Sequence, residues 1–330
     1  MRHRMFAAFA IVFAVTITEF AIVRARFVGA PEHDGPRDGL IRARDARERR
    51  GARANVKTNA RRTYALVVVG DSTVCGVGCA LTNNGGENER KTRVADEDAN
   101  ARDVENTRED DRSGGPTLAR TLATFVGKTL NTDVEWAALG YKGADVNALR
   151  EKVVPALRER ARARARASGA RELDAAPDAV VIMCGVNDAK MSVVGRSSSK
   201  FRDDLRELVR EIRAVVGEKC VVVIPATPLE AATLFPLPLA WFATRTNDLW
   251  DAQKRKVSEL ATNVVFVSKP SVEALRARAK NESGRAVASL TCADGVHPND
   301  DGYAAWAAHI AEECAPRLAL AFANAADDDR

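Results

Sequence analysis

The chain has 330 residues, 46% of them apolar and 29% charged, a balance ordinary for a folded protein and a length that can bury a substantial core. Its 50 basic and 45 acidic residues leave a net charge of only +5 at pH 7, and the Arg-rich stretch before residue 63 supplies most of that surplus. Only 5% of residues are aromatic, so no basic patch interleaved with aromatics is available, which argues against a nucleic-acid partner.

The N-terminus reads as a targeting or anchoring segment, residues 1–26. Arg2, His3 and Arg4 precede Met5 to Val23, a run apolar except for Thr16, Thr18 and Glu19, and Arg24 and Arg26 close it. Its length is near the ~20 residues that cross a bilayer core. An uncleaved signal anchor is the favoured reading, with a cleaved secretory signal or an organellar transit peptide as alternatives. Membrane attachment through residues 5–23 and a secretory or membrane location are therefore expected. Residues 27–62 are rich in Arg, Asp, Glu, Gly and Ala, with little apolar periodicity, and read as a disordered linker.

From residue 63 to 323 strand and helix signals alternate. Ala65 to Val69 is a short β-branched run stopped by Gly70. A polar insertion, 82–115, is rich in Asn, Asp, Glu and Arg and is expected to be disordered. Thr117 to Leu130 has helical spacing of Leu118, Leu122, Phe125 and Val126. Val134 to Leu139 is the second strand, and residues 144–167 are helical with an interruption expected near Pro155. The Arg-Ala alternation there reads as a solvated helix face. Ala179 to Met183 is the third strand, Phe201 to Val216 an amphipathic helix, and Val221 to Ile224 the fourth strand, ended by Pro225. A loop with Pro228, Pro236 and Pro238 leads into a helix over 239–260. Val264 to Val267 is the fifth strand, residues 302–323 form the last helix, and 324–330 are an acidic tail. This order predicts an α/β fold: a three-layer α/β/α sandwich, flavodoxin-like, with a central parallel sheet of about five strands.

Six cysteines fit no small-domain disulfide framework and include no CxxC pair for zinc. Cys184 and Cys220 sit at strand ends as small buried hydrophobes. Cys75 and Cys79 share a Gly-rich loop in which a bridge and two free thiols are both open.

Four segments carry chemistry. Gly70-Asp71-Ser72-Thr73 follows the first strand, and a serine in a tight turn at a strand end presents its hydroxyl at the sheet edge; a plain capping turn fits as well. Val74 rules out a GxSxG elbow, and Gly70, Gly76 and Gly78 match no phosphate loop. Serine needs a base. Of four histidines, His3 and His33 precede the folded region and His309 lies in the last helix, which leaves His297 in Asp294-Gly-Val-His297-Pro298. Asp294 is spaced to turn back on that imidazole and hold its tautomer. Asn187, in Gly185-Val-Asn187-Asp188 after the third strand, is a neutral amide suited to an oxyanion. Gly143, in Gly140-Tyr-Lys-Gly143-Ala144 after the second strand, offers a free backbone N–H, as does Gly140.

Ser72, Gly143, Asn187 and His297 in this order resemble the blocks of the SGNH (GDSL-like) hydrolase superfamily over about Tyr64 to Ala323, insertion aside. Gly76, Gly78, Gly302, Tyr303 and Trp306 agree in smaller detail. Thr73 stands where many members have Leu, and Ala138 where the second block usually has Asn. The resemblance implies a flavodoxin-like sandwich and an ester hydrolase that works without a metal or cofactor, with Ser72 as nucleophile, His297 and Asp294 as base and orienter, and the Ser72 and Gly143 amides with Asn187 as oxyanion donors. A small-molecule or lipid ester is the implied partner, with O-acetyl esters open. A non-hydrolysing binding protein and an acyltransferase are the alternatives on this scaffold. Asp71 and Asp188 read as supports of their loops. The stretch Leu234 to Trp241 either lines an acyl pocket or lid or packs in the core.

Overall fold

The computed structural model describes residues 18, 19, 22, 23, 27–33, 35–42, 62–80, 115–279 and 287–328. All of the expected insertion 82–115 except Gly115, and most of the apolar N-terminal run, lie outside these residues. In chain order the elements are β1 (Asp38–Ile41), β2 (Tyr64–Gly70), α1 (Thr117–Leu130), β3 (Val134–Gly140), α2 (Val146–Ser168), β4 (Ala179–Met183), α3 (Val186–Lys190), α4 (Ser198–Val216), β5 (Val221–Pro225), α5 (Leu239–Glu259), β6 (Val264–Val267), α6 (Val272–Arg278) and α7 (Asp300–Asp328).

The six strands lie in the order β1-β3-β2-β4-β5-β6. β2 to β6 are mutually parallel, and β1 runs antiparallel to β3. Without β1, the parallel strands follow the flavodoxin order, 2-1-3-4-5. The chain reverses its winding direction between β2 and β4, so the ligand crevice of such a sheet is expected beyond the C-terminal end of β2.

Side chains alternate across a strand, and β2 shows what that does. Leu66 and Val68 join the core under α1 and α7, with Leu118, Leu122, Val126, Tyr303, Trp306 and Ile310. Val67 and Val69 join the opposite core under α2, α4 and α5, with Leu149, Val153, Phe201, Leu205 and Trp250. Burial on both faces explains why these strands are continuous apolar runs with no polar alternation. Truncating a side chain such as Leu149 or Leu205 to Ala would cost about 2–5 kcal/mol.

Two expectations are corrected. Residues 27–62 are not a structureless linker throughout: among them β1 pairs with β3 from Asp38↔Ala137 to Ile41↔Val134. A four-residue edge strand, half exposed, carries too few apolar residues for a periodic signal. The helix over 144–167 is not interrupted at Pro155; α2 runs through it. Pro155 lies on the exposed face, where water can satisfy the carbonyl that loses its helical partner. The five expected parallel strands are β2 to β6, and β1 adds a sixth, antiparallel strand at the sheet edge.

No helix among the described residues is long and apolar enough to cross a membrane. Glu19, from the apolar run, accepts a hydrogen bond from the Leu239 amide at the N-terminus of α5, at 3.1 Å, a position where a carboxylate complements the helix dipole.

Candidate active site

β2 ends at Gly70, where any Cβ would sit 2.3 Å from the Met183 carbonyl oxygen of β4. Glycine there lets the two strands end side by side, with Gly70 in register with Gly140 and Met183. The chain then turns. Asp71 accepts hydrogen bonds from the Thr73 amide at 3.0 Å and the Thr73 hydroxyl at 2.9 Å, and the Asp71 carbonyl accepts from the Val74 and Cys75 amides. Burial pushes the Asp71 carboxyl up, against the lowering effect of the Thr73 bonds. This closed turn holds Ser72 at its corner.

The second half of the site is a tight loop ahead of α7. Cys292 donates its amide to the His297 carbonyl at 2.9 Å, and Gly295 takes φ +69°, a left-handed conformation that glycine adopts without strain. Asp294 folds back as its spacing predicts: Oδ1 accepts from the amides of Val296 at 2.8 Å and His297 at 2.9 Å, while Oδ2 lies 2.6 Å from His297 Nδ1. Burial would raise the Asp294 pKa, but the imidazole and the two amides outweigh it and hold the carboxyl near about 2. An ionised carboxylate only accepts, so Nδ1 carries the imidazole proton. Nε2 is then the acceptor for the Ser72 hydroxyl, 2.9 Å away.

The oxyanion candidates lie in the neighbouring loops. A Cβ on Gly140 would sit 2.5 Å from the Cys75 amide nitrogen, so the loop after β3 packs directly against the serine turn. Gly143 has φ +73° and open space where a side chain would project. Among the described residues, neither the Ser72 nor the Gly143 amide donates an intramolecular hydrogen bond. Asn187 lies in the first turn of α3, which Gly185 opens at φ 109°. It is buried, and its Nδ2 donates to the Ala144 carbonyl at 2.9 Å. Ser72, His297 and Asp294 thus form one hydrogen-bonded chain, and Gly143 and Asn187 are tied together through Ala144.

Asp188 was legible as a loop support, but its partners were not. Its carboxylate accepts from the Val146 amide at 3.1 Å and pairs with Arg196, so it joins α3 to the start of α2. Burial raises its pKa to about 6 against the pull of Arg196. Lys254 is buried beneath the same edge, paired with Asp251 at 2.8 Å and donating to the Pro225 carbonyl at 3.1 Å. Asp251 and Lys254 stand three apart on α5, a helical spacing, but no spacing rule links either of them to Asp188.

Cys75 and Cys79 are both free thiols. His309, assigned no catalytic part, is buried, with Nε2 2.8 Å from the Ser268 carbonyl. The stretch Leu234 to Trp241 is not core: Leu237 and Trp241 are exposed and only Leu239 is buried. It reaches the loop that carries Asp294 and His297 through the Thr233 and Leu234 amides, both donating to the Gly295 carbonyl.

The sequence profile of the GDSL-like Lipase/Acylhydrolase family matches residues 68–305, a span that holds Ser72, Gly143, Asn187, Asp294 and His297. The chain belongs to this family. As a GDSL-like acylhydrolase it is a hydrolase acting on ester bonds, with a small-molecule ester as substrate. Among solved structures, a catalytic mutant of Axe2, an acetylxylan esterase from Geobacillus stearothermophilus, is similar at 18% identity over 76% of this chain and 93% of that one, with a TM-score of 0.47. A GDSL-like lipase candidate from Parabacteroides merdae is similar at 20% identity over 79% of this chain and 98% of that one, with a TM-score of 0.45. No curated protein matches the chain.

Proposed function

We propose that this GDSL-like protein is a serine esterase that works through an acyl-enzyme on Ser72. The carrying observation is the chain Ser72 Oγ to His297 Nε2 at 2.9 Å and His297 Nδ1 to Asp294 Oδ2 at 2.6 Å. His297 removes the Ser72 proton as Oγ attacks the ester carbonyl. Asp294 holds the imidazole in the tautomer that leaves Nε2 free and stabilises the imidazolium that forms. The negative charge on the tetrahedral oxygen is met by the Ser72 and Gly143 amides and the Asn187 side chain. The C–O bond to the leaving alcohol then breaks as His297 returns the proton to it. Water, deprotonated by the same imidazole, attacks the acyl-Ser72 carbonyl, and collapse releases the carboxylic acid and restores the serine.

For substrate we favour an ester with an apolar acyl group, such as a lipid ester, because exposed Leu237 and Trp241 belong to the segment bonded to Gly295. A carbohydrate O-acetyl ester is the other candidate. A p-nitrophenyl ester series decides: rising kcat/KM from acetate to octanoate supports the apolar acyl reading, and a steep fall beyond acetate contradicts it. We also assign membrane attachment to residues 5–23; recovery of the full chain in the soluble fraction of a cell lysate contradicts that assignment.

A further inference from the structure

The described part of the N-terminal arm, 27–33 and 35–42, is bonded to three of the loops that form the site. At its C-terminal end β1 is paired with β3, and the Ala138 amide donates to the Arg37 carbonyl at 2.7 Å. The arm then runs along the serine turn. The Arg37 guanidinium donates to the Cys75 carbonyl at 2.8 Å, the His33 amide donates to the same carbonyl at 3.3 Å, and the Gly78 amide donates to Pro31 O at 3.4 Å. His33 is buried there, 7% exposed, and a Cβ on Gly76 would sit 2.8 Å from its own Cβ. The approach is close enough that the serine turn needs glycine under the arm.

Beyond the serine turn the arm reaches the other two loops at Ala30. The Ala30 carbonyl accepts from Lys142, beside Gly143, at 3.4 Å. Its amide donates to Asp294 Oδ2 at 3.3 Å. That oxygen is the one that faces His297 Nδ1. Asp294 is therefore held by three amides: two from its own loop fix Oδ1, and the arm's amide braces Oδ2 against rotation of the carboxylate away from the imidazole.

We propose that the 27–42 arm is a working part of the catalytic centre, with Ala30 as a positioning residue whose backbone N–H holds the Asp294 carboxylate in place for His297. This rests on the Ser72 esterase reading. The arm acts on the geometry of the base, so it affects turnover and leaves substrate binding alone. It also couples the N-terminal region to activity: a chain that keeps the hydrolase domain and loses the arm keeps Ser72, His297 and Asp294 but loses one brace on the acid.

The test uses the full chain and p-nitrophenyl acetate. Ala30→Pro removes the N–H, and Ala30→Gly retains it. The expected results are a fall in kcat of about tenfold for Ala30→Pro, as for loss of one hydrogen bond to a charged group, KM within about twofold, and wild-type kcat for Ala30→Gly. In an Asp294→Ala background Ala30→Pro is expected to have no further effect, because the partner is gone. The proposal is overturned if Ala30→Pro keeps wild-type kcat, if Ala30→Gly loses as much as Ala30→Pro, or if the tenfold loss persists without Asp294. Should Ala30→Pro fail to fold, Arg37→Ala, which releases the arm from Cys75, is compared in the same two backgrounds: loss of kcat only where Asp294 is present supports the proposal, and equal effects in both overturn it. Ser72→Ala, assayed alongside, separates the two readings. Wild-type hydrolysis by that variant removes the esterase reading, whereas an inactive Ser72→Ala with an unaffected Ala30→Pro removes only the arm's role.

Discussion

Asn187 donates one hydrogen of its side-chain amide to the Ala144 carbonyl at 2.9 Å, which fixes the orientation of the group and leaves its second hydrogen without an acceptor among the described residues. Ala144 follows Gly143, so one bond sets the spacing between two of the three proposed oxyanion donors. Asn187→Ala is expected to lower kcat by ~10²–10³ with little change in KM, because the bond to the substrate oxygen tightens only as charge develops. Steady-state kinetics on a soluble ester check this; an unchanged kcat would remove Asn187 from the oxyanion site.

Asp294 supplies the second prediction. Asp294→Asn keeps the shape of the site but presents an amide that can leave the imidazole in the wrong tautomer, and kcat is expected to fall by ~10⁴. A loss below tenfold would contradict the orienting role. Asp294 also has a signed effect on stability. Its carboxyl is held at about 2, below its ordinary value of 3.8, so its contribution is complete above about pH 4 and is lost as pH falls toward 2. Urea unfolding from pH 5 to pH 2 is expected to show wild type losing stability more steeply than Asp294→Asn.

The two glycines after β3 are expected to behave differently. A Cβ on Gly140 meets the Cys75 amide nitrogen at 2.5 Å, so Gly140→Ala has to push the serine turn aside, at about 1–3 kcal/mol and with loss of turnover. Gly143→Ala meets no neighbour and carries only the left-handed backbone cost of about 1 kcal/mol. Thermal melts and kcat on both variants check the order; a larger drop in melting temperature for Gly143→Ala would contradict it.

The sheet and the Asp294–His297 pairing were both legible, each from a local pattern of its own. Doubly buried parallel strands demand continuous apolar runs, so Ala65 to Val69 and Ala179 to Met183 announce themselves, and the polar residues just beyond them fall at the ligand edge. Asp294 and His297 were legible because a three-residue spacing closes locally. Contacts between residues far apart in sequence were not. The Val146 amide on Asp188, Lys254 beneath Gly185 and Ala30 on Asp294 follow from packing alone. β1 escaped because the rest of the stretch 27–62 is dominated by charge, and four half-exposed residues do not outweigh it.

Asp188 gives a pH dependence of opposite sign to that of Asp294. Burial raises its folded pKa to about 6, above the ordinary 3.8, so the folded state binds a proton that the unfolded state has released between those values. The stability associated with protonated Asp188 is present below about pH 4 and is lost as pH rises through 6, by up to about 3 kcal/mol. Asp188→Asn is expected to flatten the stability profile over pH 4–6 in chemical denaturation. An unchanged slope in that window would show that Arg196 keeps Asp188 ionised throughout.

The most direct test of the central claim is hydrolysis of p-nitrophenyl acetate by the full chain beside Ser72→Ala and His297→Ala, with fluorophosphonate labelling of each. Wild type is expected to turn over and to be labelled at Ser72, Ser72→Ala to be neither active nor labelled, and His297→Ala to lose at least ~10³ in kcat. Folded wild type that neither hydrolyses the ester nor takes the label, or a Ser72→Ala variant as active as wild type, would contradict it.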